Sequence, residues 1–267
     1  MSDSAPSTLS CLRCLSLWRC LSTAFTLQRC GLIGARRRSR KGSNTILLEA
    51  KYVWSGLMEA RREYTFGTLS SEDLSPSPVD QFAAWLEYAR EKGISDTTAM
   101  SLATADKDGM PTVRTVLLKS FDSAGFVWYS DKRSEKGRSI SDRPVAEILF
   151  FWKELERQVR IRGNVEMVGE EEVQDYFFSR PRESQIAASI SQQSQPIETR
   201  LELERRYEEF ERKHNSDLVL PEHWRGYRLL PSRYEFWQGR KGRLHDRFEY
   251  VKSEEVSDDW VITRLQP

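Results

Sequence analysis

Between Arg157 and Met167 the chain alternates: Val159, Ile161, Val165 and Met167 fall on one side of an extended backbone, and Gln158, Arg160, Arg162 and Asn164 on the other. A period of two fits a half-buried strand, with one face on a core and the other wet or against a ligand. Other segments read the same way. Thr97 to Thr104 and Pro111 to Lys119 flank the turn Asp106-Lys107-Asp108-Gly109 and predict a β-hairpin. Gly125 to Ser130 and Val145 to Trp152 read as strands, as do Gly226 to Leu230, Tyr234 to Gln238, Leu244 to Val251 and Asp259 to Leu265. Helical spacing appears where Pro78 opens a segment with Phe82, Leu86 and Ala89 on one face, stopped by Gly93, and in a short charged stretch before Asp142-Arg143-Pro144. From Glu170 to about Arg212 three helices fit, broken at Arg180-Pro181 because a residue before proline avoids the α region. Strands without regular βαβ alternation call for a mainly β fold, an antiparallel barrel with peripheral helices.

Charge is unevenly placed along the 267 residues. Up to Leu48, eight cations stand against Asp3 alone, although the whole chain nets only +1, so the remainder is acidic. Cys11, Cys14, Cys20 and Cys30 all lie in that basic stretch, which leaves the rest without a thiol for a disulfide or a thiolate metal site. Two parts are expected: residues 1–57 as a basic leader, either transit-like or a disordered extension with Met58 as an alternative start, and residues 58–267 as the folded domain. No uncharged apolar run approaches the roughly 18 residues that span a bilayer, so no membrane is expected. An acidic body argues against nucleic acid. Cys11-x-x-Cys14 has no second pair or histidine at ligand spacing, so no metal is expected. GxGxxG, GxxxxGK[ST], HExxH and GxSxG are absent, which removes sequence support for Rossmann, P-loop, zincin and hydrolase-elbow chemistry.

The remaining chemistry is a set of cations in strand and helix-end contexts. Arg114 and Lys119 bracket an apolar strand, and five residues apart they face opposite ways unless a bulge intervenes or two ligands are served. Arg243, His245 and Arg247, at i, i+2 and i+4, fall on one strand face. Tyr176 and Arg180 share a helix face, and Pro181 opens the next helix with Ser184 near its start; an arginine and a hydroxyl at a helix N-terminus suit a phosphate. Arg160 and Arg162 read as a structural, solvated strand face, and Glu198 to Arg212 as an exposed helix laced by i, i+4 pairs.

The ordered motifs RTVLLK (114–119), ERQVR (156–160), YFFSRPRESQI (176–186), SQQS (191–194) and EFWQGRKGRLHDR (235–247) resemble the pyridoxine/pyridoxamine 5′-phosphate oxidase family. The resemblance runs from Arg61-Arg-Glu-Tyr-Thr to the closing Leu265-Gln-Pro. It implies an FMN-binding split β-barrel, a homodimer whose active sites lie at the subunit interface. Such an enzyme oxidises pyridoxamine 5′-phosphate or pyridoxine 5′-phosphate to pyridoxal 5′-phosphate, with O2 as acceptor and H2O2 as product. Carried over by position, it implies FMN contacts at Arg114, Thr115, Val116, Leu117, Tyr129, Ser130, Lys136, Gln158, Gln193, Ser194, Trp237 and Arg247. Substrate contacts are implied at Lys119, Tyr176, Arg180, Ser184, Arg243, Leu244 and His245, with Arg61 and Tyr64 on a segment that closes over the site. Arg243 and His245 are implied as the catalytic pair. A thiol-free body points to a cytoplasmic location, and the Arg-rich, acid-poor leader to a mitochondrial one if residues 1–57 act as a transit segment.

One departure stands out. Glu135 precedes Lys136 where the family commonly has arginine, with Lys132 and Arg133 as the nearby cations able to compensate. Two rival readings are a split-barrel flavin oxidase of another aromatic substrate and a non-catalytic FMN or pyridoxal-phosphate binding protein. The phosphate-type cluster Lys119, Tyr176, Arg180 and Ser184 argues against the first, and the Arg243/His245 pair against the second.

Overall fold

The computed structural model describes residues 62–214, 218–253 and 259–267. The expected leader, its four cysteines and Arg61 lie outside the described residues. Among the described residues nine strands form one sheet: β1 (Ala99–Ala105), β2 (Pro111–Leu117), β3 (Ser120–Asp122), β4 (Gly125–Asp131), β5 (Val145–Trp152), β6 (Arg157–Met167), β7 (Trp224–Gln238), β8 (Asp246–Lys252) and β9 (Trp260–Leu265). Five α-helices accompany them: α1 (Pro78–Glu91), α2 (Glu135–Asp142), α3 (Glu170–Ser179), α4 (Arg182–Ile190) and α5 (Arg200–Lys213). Every strand pairing is antiparallel, in the order β2-β1-β5-β6-β7-β4-β3, with β8 and β9 continuing from the far half of β7.

The two ends of that order are consecutive in the chain, and this closes the sheet into a barrel. At the seam Leu118 N–H donates to the Thr98 carbonyl and Lys119 N–H to the Val127 carbonyl, both at 2.9 Å. Apolar faces turned inward by the alternation fill the interior: Met100 and Leu102, Phe126 and Trp128, Ile148 and Phe150, Val159 and Ile161, and Phe236 are all essentially inaccessible. α1 supplies the complementary stripe of Phe82, Leu86 and Ala89. Phe82 meets Phe121 and Phe126 edge-on at 5.0 Å and Phe150 at 4.9 Å. Ser77 caps this helix by accepting from Asp80 N–H, and Pro78 occupies its first turn.

Several sequence expectations change. Gly226 to Leu230 and Tyr234 to Gln238 are one strand, β7, because Pro231 is absorbed at a bulge. The β6–β7 register shifts between Arg162 and Gly163, and Gly163 faces Pro231. A Cβ on Gly163 would lie 1.8 Å from the Leu230 carbonyl oxygen, so the close approach requires glycine. Met167, at the end of β6, is 64% exposed, whereas Val159, Ile161 and Val165 are buried as the alternation demands. β3 is an additional three-residue strand. Leu244 lies outside β8, and Arg243 ends a 3-10 turn with φ +66°, so Arg243, His245 and Arg247 do not share a strand face. Arg160 and Arg162 are structural as expected, bracketing Glu147 at 2.6 and 2.7 Å. α5 carries the expected i, i+4 pairs, Arg200–Glu204 among them. Among the described residues no helix is long and apolar enough to cross a membrane.

Gly163→Ala is expected to destabilise the fold by about 1–3 kcal/mol, since the added methyl displaces backbone on β7. A lowered urea midpoint at unchanged slope checks this, and an unchanged midpoint contradicts the bulge's tight packing.

Candidate active site

β2 and β4 approach each other beside the seam and wall a cavity of about 670 Å³. β2 contributes Arg114 to Leu117, the seam Lys119, β4 Tyr129 and Ser130, and the first turn of α2 Glu135 and Lys136. The far wall comes from Tyr176 on α3, Arg180, Pro181 and Ser184 around the α3–α4 junction, Gln193 and Ser194 after α4, and Trp224 at the start of β7. Most of the expected contact residues are thus brought together.

The hairpin itself builds the seat of Arg114. Thr104 and Thr112 are register partners on β1 and β2. The guanidinium donates from Nη1 to Thr104 Oγ1 (2.8 Å) and the Leu102 carbonyl (3.2 Å), and from Nη2 to Thr112 Oγ1 (2.5 Å). Neither threonine stood out in the sequence, because their roles depend on a cross-strand register. Lys136 is only 6% exposed, and its Nζ donates to Gln193 Oε1 (2.6 Å), Ser130 Oγ (3.0 Å) and Ser134 Oγ (3.3 Å). These acceptors are neutral, and burial, followed by the charge of Arg114, pushes the ammonium down to about 8. Ser134 also caps α2, and a Cβ on Gly137 would stand 2.4 Å from the Lys132 carbonyl oxygen, so glycine lets the helix start sit this close.

A second cationic group lies across the cavity. Arg180 does not share a helix face with Tyr176; it leaves α3 with an extended backbone (ψ 152°), as the following proline demands. Its guanidinium lies 4.5 Å from the Trp224 ring, and its Nη1 is buried without a hydrogen-bond partner. Burial lowers its pKa. Lys119 Nζ sits 5.9 Å from the Tyr176 ring, which stacks on Tyr129 at 3.9 Å. Burial first, then Glu172, pushes the Tyr129 phenol up to about 12, so it stays a neutral donor. Arg114 and Lys119 line one cavity, Lys119 from the junction beyond the end of β2 at Leu117, where the regular strand alternation no longer applies. Trp224 was missed by sequence reasoning, since a tryptophan opening a strand reads as ordinary core.

Gln158, Trp237, Arg247, Tyr64, Arg243, Leu244 and His245 do not line this cavity. Gln158, Trp237 and Arg247 are register partners across β6, β7 and β8. Trp237 lies 4.6 Å from His245 and 5.6 Å from Tyr64, and the Arg243 guanidinium is 5.4 Å from the Tyr64 ring. Arg240 N–H donates to His245 Nδ1 at 3.1 Å, so the neutral ring carries its proton on Nε2. Burial, then Arg243 and Arg247, lower the His245 pKa and favour that neutral form. Arg247 is held by Glu235 (2.8 Å) and the Gln266 carbonyl (2.7 Å), while Leu244 is 73% exposed. The segment carrying Tyr64 is pinned by Phe66 N–H to Glu156 and Leu69 N–H to Asp246. From Trp224 to Trp237 runs roughly 40 Å of extended β7, which sets this cluster at the opposite end of the strand from the cavity.

A split β-barrel with two cationic groups in one cavity has the chemistry of a site for phosphorylated ligands. Residues 86–214 match the family model described as pyridoxamine 5′-phosphate oxidase, and residues 224–267 the one described as pyridoxine 5′-phosphate oxidase C-terminal dimerisation region. Pyridoxine/pyridoxamine 5′-phosphate oxidase 1 of Hydrogenovibrio crunogenus is 48% identical over 207 residues, covering 78% of this chain and 96% of the relative. The corresponding protein of Shewanella halifaxensis is 48% identical over 80% of this chain and all of its own length. The crystal structure of PhzG from Burkholderia lata 383, in complex with tetrahydrophenazine-1-carboxylic acid, superposes with a TM-score of 0.70 at 30% identity, covering 75% of this chain and 98% of PhzG. An FMN-binding protein of Nostoc punctiforme shares the fold at a TM-score of 0.58 and 18% identity, covering 73% of this chain and all of its own. The chain belongs to the pyridoxine/pyridoxamine 5′-phosphate oxidase family.

A bound anion raises the pKa of Lys136, so binding weakens once the free ammonium deprotonates. Affinity for inorganic phosphate, measured by calorimetry, is expected to fall up to about tenfold per pH unit above about 8. Affinity that stays flat to pH 9.5 contradicts this.

Proposed function

We propose that the protein is an FMN-dependent oxidase that converts pyridoxamine 5′-phosphate or pyridoxine 5′-phosphate to pyridoxal 5′-phosphate, reducing O2 to H2O2, and that it works as a homodimer. The observation that carries this reading is the pair of cationic groups in one cavity, Arg114 with Lys136 and Lys119 with Arg180, which matches two phosphomonoesters. The residues fit such anions: Lys136 is buried among neutral oxygens, and Arg180 Nη1 is a buried donor without a partner. In this reading Arg114, Lys136 and Ser194 hold the phosphate of FMN, and Thr115 to Leu117, Tyr129, Ser130 and Gln193 border the rest of the cofactor. Lys119, Tyr176, Arg180 and Ser184 hold the substrate phosphate. Held by these residues, FMN would supply the two-electron chemistry, hydride acceptance from the substrate's C4′ carbon and reduction of O2 to H2O2.

The protein's own work is then to position and to exclude water. Tyr176 stacked on Tyr129 makes an apolar wall, and Arg180 fixed over Trp224 anchors the substrate's phosphate end. The cluster at the opposite end of β7 serves the same site only if it comes from a second copy. Gln158, Trp237 and Arg247 of the partner subunit then border FMN. Arg243 and His245 of the partner subunit face the reacting carbon, with the segment of Tyr64 over them. Supporting this arrangement are the separation along β7 and the match of residues 224–267 to a dimerisation region. His245 of the partner subunit, neutral with its proton on Nε2, donates a hydrogen bond to the substrate, and Arg243 of the partner subunit stabilises negative charge beside it.

Anaerobic addition of pyridoxamine 5′-phosphate to the FMN-loaded protein is expected to bleach the flavin absorbance, and admission of air to restore it with release of H2O2. An unchanged spectrum contradicts the reading. In Arg180→Ala, kcat/KM for the phosphorylated vitamin should fall roughly 30- to 150-fold, about 2–3 kcal/mol, while FMN affinity and any activity on unphosphorylated pyridoxine hold. Equal loss for both substrates would assign Arg180 to the fold.

A further inference from the structure

Arg114 has little guanidinium surface left for a ligand. Nη1 is engaged by Thr104 and Leu102 and one edge of Nη2 by Thr112, which leaves an incoming anion Nε–H and the remaining edge of Nη2. That edge faces Glu135, whose Oε2 lies 3.7 Å away and whose side chain lines the same cavity. The backbone of Glu135 is fixed, because it opens α2 and its N–H donates to Ser194 Oγ at 3.3 Å. Its side chain is 57% exposed and able to swing.

The other charges facing this spot are few. Lys136 approaches from α2, and Asp131 acts from the end of β4. Arg133 is tied to Asp131 at 2.7 Å and to the Ser191 carbonyl at 2.8 Å, and Lys132 pairs with Glu222 at 3.2 Å, so neither neighbour offsets Glu135. A phosphate dianion therefore meets two cations and one carboxylate already paired with one of them.

We infer that Glu135 is a specificity-determining residue of the cofactor phosphate site, its carboxylate competing with the phosphate of FMN for Arg114. This rests on the reading of Arg114 and Lys136 as that site. Binding of FMN breaks the Arg114–Glu135 pair and leaves the carboxylate a few ångströms from a dianion. Such repulsion across a partly solvated cavity is modest and salt-dependent. Affinity for the phosphorylated flavin is thereby lowered, and affinity for its unphosphorylated counterpart is not.

Flavin fluorescence titrations of the full-length wild type and Glu135→Gln, each with FMN and with riboflavin, test this. Glutamine keeps the size and removes the charge. The FMN Kd is expected to fall about 5- to 10-fold in Glu135→Gln at low salt, with the gain shrinking as salt is added, and the riboflavin Kd to stay constant. An unchanged or raised FMN Kd in Glu135→Gln, or an equal shift for both flavins, overturns the inference. If wild type binds FMN no more tightly than riboflavin, the assignment of Arg114 and Lys136 to a phosphate fails first, and the inference falls with it.

Discussion

Closure of the sheet at residues 118–119 is the constraint on which the rest of the structure depends. The chain passes directly from β2 to β3, the two ends of the strand order, and the backbone hydrogen bonds from Leu118 to Thr98 and from Lys119 to Val127 carry the β1–β2 and β3–β4 pairings through that junction. Closure satisfies edge groups that would otherwise be exposed and gathers one apolar interior around Phe82 of α1. It also sets β2 beside β4, and the cavity exists because of that approach. Arg114 on one strand and Ser130 with the start of α2 on the other come to face one another, although they are far apart along the sheet.

The cavity concentrates positive charge at a cost in stability. Lys136 is buried and driven toward neutrality, and Arg180 keeps a buried N–H without a partner. Groups held this way are offset when an anion arrives, and ligand binding then stabilises the fold by mass action. Around them the seats are rigid: paired threonines under Arg114, Trp224 under Arg180, and a capped helix start under Lys136. Preorganised donors lose little freedom when they meet a phosphate.

Much of this was legible in the sequence wherever a local rule acts alone. The alternation of β6, the stripe of α1 and the proline break after Arg180 needed no tertiary information. β7 was not legible as one strand, because Pro231 stops a strand by local rules and the glycine that accommodates it, Gly163, belongs to β6. Placing Tyr176 and Arg180 on one helix face failed because Pro181 releases Arg180 from α3, and a side chain released from a helix is free to stack on Trp224. Motif order identified the residues that line the cavity, yet spacing carried no sign that Trp237, Arg243 and His245 stand at the other end of a fifteen-residue strand.

That separation leads to the central claim, that one active site is completed by two copies of the chain. Co-expression of an Arg180→Ala copy with an Arg243→Ala/His245→Ala copy, followed by purification of the mixed dimer through two different tags, tests it most directly. Shared construction puts all three substitutions in one of the two sites and leaves the other intact, so the mixed dimer should recover about half of wild-type activity while each parent homodimer stays impaired. A mixed dimer no more active than its parents would mean that each site is built within a single chain.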